Sequence, residues 1–114
     1  MASLHPRAKK DLLEMGYEYV EITEHWVAFS GGGGVRKDLM GFCDLLAVGH
    51  GGCSGKHIAA VQVTSWGNVS TRRKKILGSP VAKLWYESCG SILLLGYRKN
   101  KKGRYERKEE WVGW

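Results

Sequence analysis

Apolar and polar positions divide the chain into short elements. Leu4, Ala8, Leu12 and Met15 recur at spacings that share one helical face. A helix is therefore expected over residues 3–15, capped by Ser3 and ended by Gly16. Arg7, Lys9, Lys10, Asp11 and Glu14 fall on its other side and read as a solvated face. Tyr17 to Val27 alternates and is rich in β-branched and aromatic residues, which predicts a first strand with a bulge or kink. Ser30 is followed by the glycines Gly31 to Gly34. This run lacks the Lys-Ser/Thr ending of a phosphate-binding loop and no helix pattern follows it, leaving a plain turn or a mobile loop beside a channel.

The next two segments are the most apolar. Val35 to Met40 leads into a second strand, Gly41 to Val48, and a third runs from His57 to Ser65. On the second, Phe42, Asp44, Leu46 and Val48 are expected on one face and Cys43, Leu45 and Ala47 on the other. On the third, Ile58, Ala60, Gln62 and Thr64 alternate with Ala59, Val61, Val63 and Ser65. The Gly-rich connection suits an antiparallel hairpin. If it is symmetric about Cys53, Val48 faces Ile58, Leu46 faces Ala60 and Asp44 faces Gln62. Asp44, Gln62 and Thr64 are then polar residues on strands apolar enough for a core, where each needs a partner. They are the first candidates for a site.

After Thr64 the pattern becomes helical and basic. Asn68 or Ser70 can cap a helix whose early turns hold Arg72, Arg73, Lys74 and Lys75. Ser79-Pro80 reads as a second cap with proline at the first helical position, and Gly90 as a stop. Residues 69–89 are thus one interrupted helix or two short ones. Ser91 to Tyr97 is a buried strand, Lys99 to Gly103 a basic turn, and Arg104 to Val112 an edge strand. The order is α-β-β-β-α-β with a final strand.

Composition narrows the class. At 114 residues, with 43% hydrophobic and 25% charged positions, one globular domain is expected rather than a disordered chain. A formal net charge of +7 favours a polyanionic partner, nucleic acid before an anionic membrane surface. The start shows no secretory h-region, and the apolar run Ile92 to Leu95 is too short to span a bilayer. Cys43, Cys53 and Cys89 form no CxxC pair, so a reduced, cytoplasmic chain is expected. His50, Cys53 and His57 are zinc-type ligands, but in one Gly-rich loop and without a fourth partner in view. No serine- or cysteine-nucleophile motif is present. Trp26, Trp66 and Trp85 are expected in the core, with Trp66 also placed to stack on a base. Trp111 and Trp114 suggest a packed tail or a subunit contact.

With these elements in place, Lys37-Asp-Leu-Met-Gly-Phe-Cys-Asp-Leu-Leu-Ala47 and Ala60-Val-Gln-Val-Thr64 resemble the PD-(D/E)XK nuclease superfamily, in its Holliday-junction-resolvase-like and small phage or bacterial endonuclease-like branch. The resemblance implies an α/β fold over residues 1–114: a restriction-endonuclease-like αβββαβ core with a central mixed sheet flanked by helices. It implies a metal-dependent endonuclease acting on DNA with Mg2+ (or Mn2+), and a homodimer, since paired sites suit cuts in two strands. Asp44 takes the position of the strand-two aspartate. Gln62 stands where Asp or Glu is usual, and Thr64 where lysine is usual.

Mg2+ is a hard ion, and Asp44, the Gln62 amide oxygen and the Val63 carbonyl could hold it. The catalytic set implied is Asp44, Gln62 and Thr64. Thr64 cannot be a cation, so positive charge would have to come from Lys37, Arg72, Arg73 or Lys75. Lys37, Arg72, Arg73, Lys74, Lys75, Lys101 and Lys102 are the expected nucleic-acid contacts. Asp38 is a further candidate acid, but six extended residues would hold it about 20 Å from Asp44 unless the chain turns at Gly41. Glu24 is another, along with Glu14 and Glu21. Where the superfamily often carries a first-helix glutamate, this sequence offers His5, Arg7 and Lys9. Two other readings stand beside the nuclease: a degenerate relative that binds nucleic acid without cutting, and a small protein that binds a host protein.

Overall fold

The computed structural model describes residues 4–50, 57–88 and 90–114. The expected Ser3 cap, Cys53 and Cys89 lie outside the described residues. A first helix, α1 (His5–Glu14), is followed by three short strands, β1 (Tyr19–Ile22), β2 (His25–Ala28) and β3 (Gly34–Lys37). Then come β4 (Leu45–Val48) and β5 (Ile58–Ser65), and the helices α2 (Val69–Leu77) and α3 (Pro80–Glu87). The long strands β6 (Ser91–Lys99) and β7 (Tyr105–Val112) complete the chain.

The central sheet has five strands in the order β1-β4-β5-β6-β7. β5 and β6 are parallel, joined by a crossover through α2 and α3, and the other neighbours are antiparallel. This is a mixed α/β sheet with helices on both faces. Ala8 and Leu12 of α1 pack on Leu45, Ala47, Ala59, Val61, Leu93 and Leu95. Val69, Ile76 and Ala82 of α2 and α3 pack on Ala60, Ile92 and Leu94. The apolar stripe of α1 is the expected one, with Leu4 and Met15 partly buried against the same cluster. Gly16 ends the helix at φ 107°, a conformation that favours glycine.

Several boundaries agree with the pattern. The Ser79 side chain accepts the Ala82 N–H at 3.2 Å with Pro80 behind it, so residues 69–87 form two helices rather than one. Val48 pairs with Ile58 and Leu46 with Ala60, as the hairpin register predicts. The tail is packed: Trp114 donates from Nε1 to the Leu77 carbonyl at 3.3 Å, and its ring lies 5.4 Å from that of Tyr86.

Two differences shape the rest of the molecule. The single strand expected over Tyr17 to Val27 is broken after Ile22. β2 leaves the main sheet and pairs with β3 as a separate two-stranded ribbon, with the glycine run as its turn. Trp26, expected in the core, is consequently 60% exposed on that ribbon. Asp11, expected on a solvated face, is buried. It accepts the Tyr97 hydroxyl at 2.7 Å and lies 3.3 Å from Arg107 Nη1, a pairing only the return of β6 and β7 can supply. Among the described residues, no helix is long and apolar enough to cross a membrane.

Candidate metal centre

The site is built where β4 begins. Continuing the register of β4 and β5 would place Asp44 opposite Gln62. Instead the Asp44 N–H donates to the Val61 carbonyl at 2.8 Å, although Val61 is already the partner of Leu45. Two consecutive residues thus oppose one, the arrangement of a β-bulge, which re-aims a side chain. The expected common face of Phe42, Asp44 and Leu46 is broken at this point. The Asp44 carboxylate turns to the α1 side, where Oδ2 accepts the Val63 N–H at 2.9 Å.

The same bulge positions its neighbours. The Asp44 carbonyl accepts the N–H of Thr23 at 2.8 Å and of Glu24 at 3.2 Å, which fixes the break between β1 and β2 beside it. Glu24 Oε2 lies 3.4 Å from His5 Nε2, and Asp44 Oδ2 lies 3.8 Å from the same nitrogen. One ligand atom from each of His5, Glu24 and Asp44 falls within 4.8 Å of the others, so the group could hold a metal ion. Asp44 is buried and the other two are partly buried.

Asp38 completes the cluster. Met40 and Gly41 take positive φ values of 58° and 78°, and the chain doubles back so that Leu39 pairs with Cys43. The turn thereby brings the Asp38 carboxyl near enough to Asp44 to favour its protonated form. Burial, then Asp38 and then the charge of Glu24 push Asp44 up to about 8, against the lowering effect of the Val63 N–H. A raised pKa favours the neutral form of Asp44, which limits repulsion among the neighbouring carboxyls when no cation is bound.

The chemistry of the donor set fits a metal ion: two carboxylates supply oxygen ligands and an imidazole supplies nitrogen. In an extended strand, a residue's carbonyl points the same way as its N–H, so that of Val63 is directed to the Asp44 side, where β4 has ended.

Strand alternation separates the remaining expected residues. Gln62 pairs with Leu94 and Thr64 with Gly96, whose added Cβ would meet Val69 of α2. Gln62 and Thr64 are buried and directed to the α2 face, whereas Val63 and Ser65 lie on the Asp44 side. The shared face expected for Asp44, Gln62 and Thr64 is therefore not formed, because the bulge turns Asp44 and leaves β5 regular.

An open cleft of about 690 Å3 runs past the centre, lined in part by His5, Glu24, Arg36, Arg72, Arg98 and Lys99, and the predicted Val63 and Thr64 also line it. Of the basic residues singled out in the sequence, Arg72 lines this cleft. Arg73 is held by Glu110 at 2.7 Å, Lys37 is exposed on β3, Lys74 and Lys75 are exposed on α2, and Lys101 and Lys102 are exposed in the β6–β7 turn. Arg36 pairs with Glu24 at 3.1 Å. The Trp66 ring is covered by the Arg98 guanidinium at 3.9 Å. His50 Nδ1 lies 3.2 Å from Glu18, and His57 Nδ1 lies 3.1 Å from the Gly49 carbonyl.

His5, Arg98 and Lys99 are the site residues that the motif did not select. His5 had one visible signal, its place in the first turn of α1 where a first-helix acid was sought. The cations of β6 had none, since they reach the cleft only through the parallel pairing with β5. Comparison with family models, curated proteins and solved structures found no match.

Proposed function

We propose that the protein is a metal-dependent nuclease that hydrolyses phosphodiester bonds in DNA. The observation that carries this reading is the His5–Glu24–Asp44 group opening onto a cleft edged with Arg36, Arg72, Arg98 and Lys99. Carboxylates that repel one another call for a cation, and a row of cations beside them calls for a polyanion. The element order and mixed sheet agree with the PD-(D/E)XK resemblance.

In this reading His5, Glu24 and Asp44 hold the ion, with the Val63 carbonyl as an added oxygen ligand and Asp38 steadying Asp44. Mn2+ is the better fit than Mg2+ because one donor is an imidazole nitrogen. A bound ion would polarise a phosphate oxygen and lower the pKa of a water. Arg72, Arg98 and Lys99 hold the flanking phosphates. Lys99 is the cation that replaces the absent strand-three lysine. Gln62 supports the sheet from the α2 face, and Thr64 lines the cleft beside Arg72.

A second reading, a relative that binds nucleic acid without cutting, is favoured by one observation. The Asp44 side of β5 presents Val63 and Ser65 and no acid or lysine. Purified protein incubated with plasmid and branched DNA in Mn2+ separates the two. Cleavage that disappears in Asp44→Asn and Lys99→Met, and persists in Thr64→Val, supports the nuclease. Metal-independent DNA binding without any cleavage supports the second reading.

A further inference from the structure

A second cleft, of about 340 Å3, adjoins the same wall of His5, Glu24 and Arg36. Its other lining is of a different character, with Pro6, Ile22 and Trp26 as its apolar part. The metal group therefore stands between a basic groove and an apolar recess.

Trp26 is held there in an unusual way. On the β2–β3 ribbon it pairs with Arg36, and Gly34 lies diagonally across from it. A Cβ on Gly34 would come within 2.6 Å of the indole atoms Cε2 and Cζ2, so the ring lies directly over the glycine. Only glycine permits this approach. The ring remains 60% exposed, while the Arg36 guanidinium bridges from the same ribbon to Glu24 at 3.1 Å. A large flat apolar surface, backed by the main chain and flanked by a cation, is what an unstacked nucleobase recognises.

Resting on the nuclease reading, we propose that Trp26 is a base-stacking platform and that the substrate is a nucleic acid with an unpaired base beside the phosphate at the metal centre. A base inside a duplex is already stacked on both sides and cannot lie on the indole. Single strands, flaps and branch points offer one that can. The break between β1 and β2 thus does two things. It brings Glu24 to the centre and swings the ribbon out so that Trp26 faces the next nucleotide.

The test compares a labelled twelve-nucleotide thymidine strand with an abasic strand of the same length, by fluorescence anisotropy in EDTA so that nothing is cut. Trp26→Ala is expected to weaken binding of the thymidine strand by about five- to a hundredfold and to leave the abasic strand unchanged. Trp26→Phe, which keeps an aromatic face, is expected to retain most of the affinity. Equal loss on both strands, or no loss on either, overturns the platform. If wild type binds the thymidine strand through Trp26 but cuts nothing in Mn2+, the hydrolytic reading alone fails. If wild type binds neither strand, both fail.

Discussion

Asp44→Asn should make the metal-free protein more stable and abolish its response to metal. In the folded protein Asp44 is pushed up to about 8 from an ordinary value of 3.8, by burial first and then by Asp38 and Glu24. The folded state therefore holds this proton more tightly than the unfolded chain. As pH rises from about 3.8 toward 8, the folded state binds more protons than the unfolded one, and metal-free stability falls. The gap corresponds to a loss on the order of 5 kcal/mol across that window. Asparagine carries no charge to desolvate and keeps an oxygen that can accept the Val63 N–H. Recovery of even about 1 kcal/mol would raise the melting temperature by about 4 °C for a domain of this size. Wild type instead gains by binding the ion: Mn2+ at a hundred times its dissociation constant adds about 2.7 kcal/mol, or roughly 10 °C. The assay is differential scanning fluorimetry at pH 8, with and without Mn2+, on both proteins. Wild type should shift upward with Mn2+, and Asp44→Asn should start higher and stay there. A variant that melts lower than wild type without metal, or that shifts with Mn2+ as wild type does, would refute the reasoning.

Three other outcomes follow from particular contacts. Tyr97→Phe removes the hydroxyl that donates to the buried Asp11 carboxylate at 2.7 Å, and should cost about 1.5–3 kcal/mol in a urea titration, with Arg107 still present. Gly96→Ala drives a methyl into the Val69 side chain of α2 and should destabilise by about 1–3 kcal/mol, also read by urea unfolding. DNA affinity measured against salt should lose close to one unit of slope in Arg72→Ala or Lys99→Ala, and little in Arg73→Ala, whose charge is already engaged by Glu110.

Much of the framework was legible in the chain alone. Local periodicity is enough to place α1, because Ala8 and Leu12 bury the face they share. Ser79-Pro80 carries its own helix start, and the hairpin register follows from matching apolar positions about a Gly-rich turn. Asp44 and Glu24 were recognisable as candidate acids, and Gly41 as the turn that Asp38 would need. The tertiary structure alone decided which of the polar residues meet. A bulge adds one residue to one strand, and that single offset reverses the face of Asp44 while leaving Gln62 and Thr64 where alternation puts them. The ribbon of β2 and β3 is likewise invisible to propensity, since Tyr17 to Val27 has strand character throughout and the break after Ile22 is imposed by hydrogen bonds to Asp44. His5 joins the acids only because α1 packs across β4, and Lys99 joins the cleft only because β6 runs parallel to β5. Strand and helix preferences are properties of neighbours in sequence. A metal group assembled from a helix start, a strand break and a bulge depends on neighbours in space, and no local pattern encodes their distances.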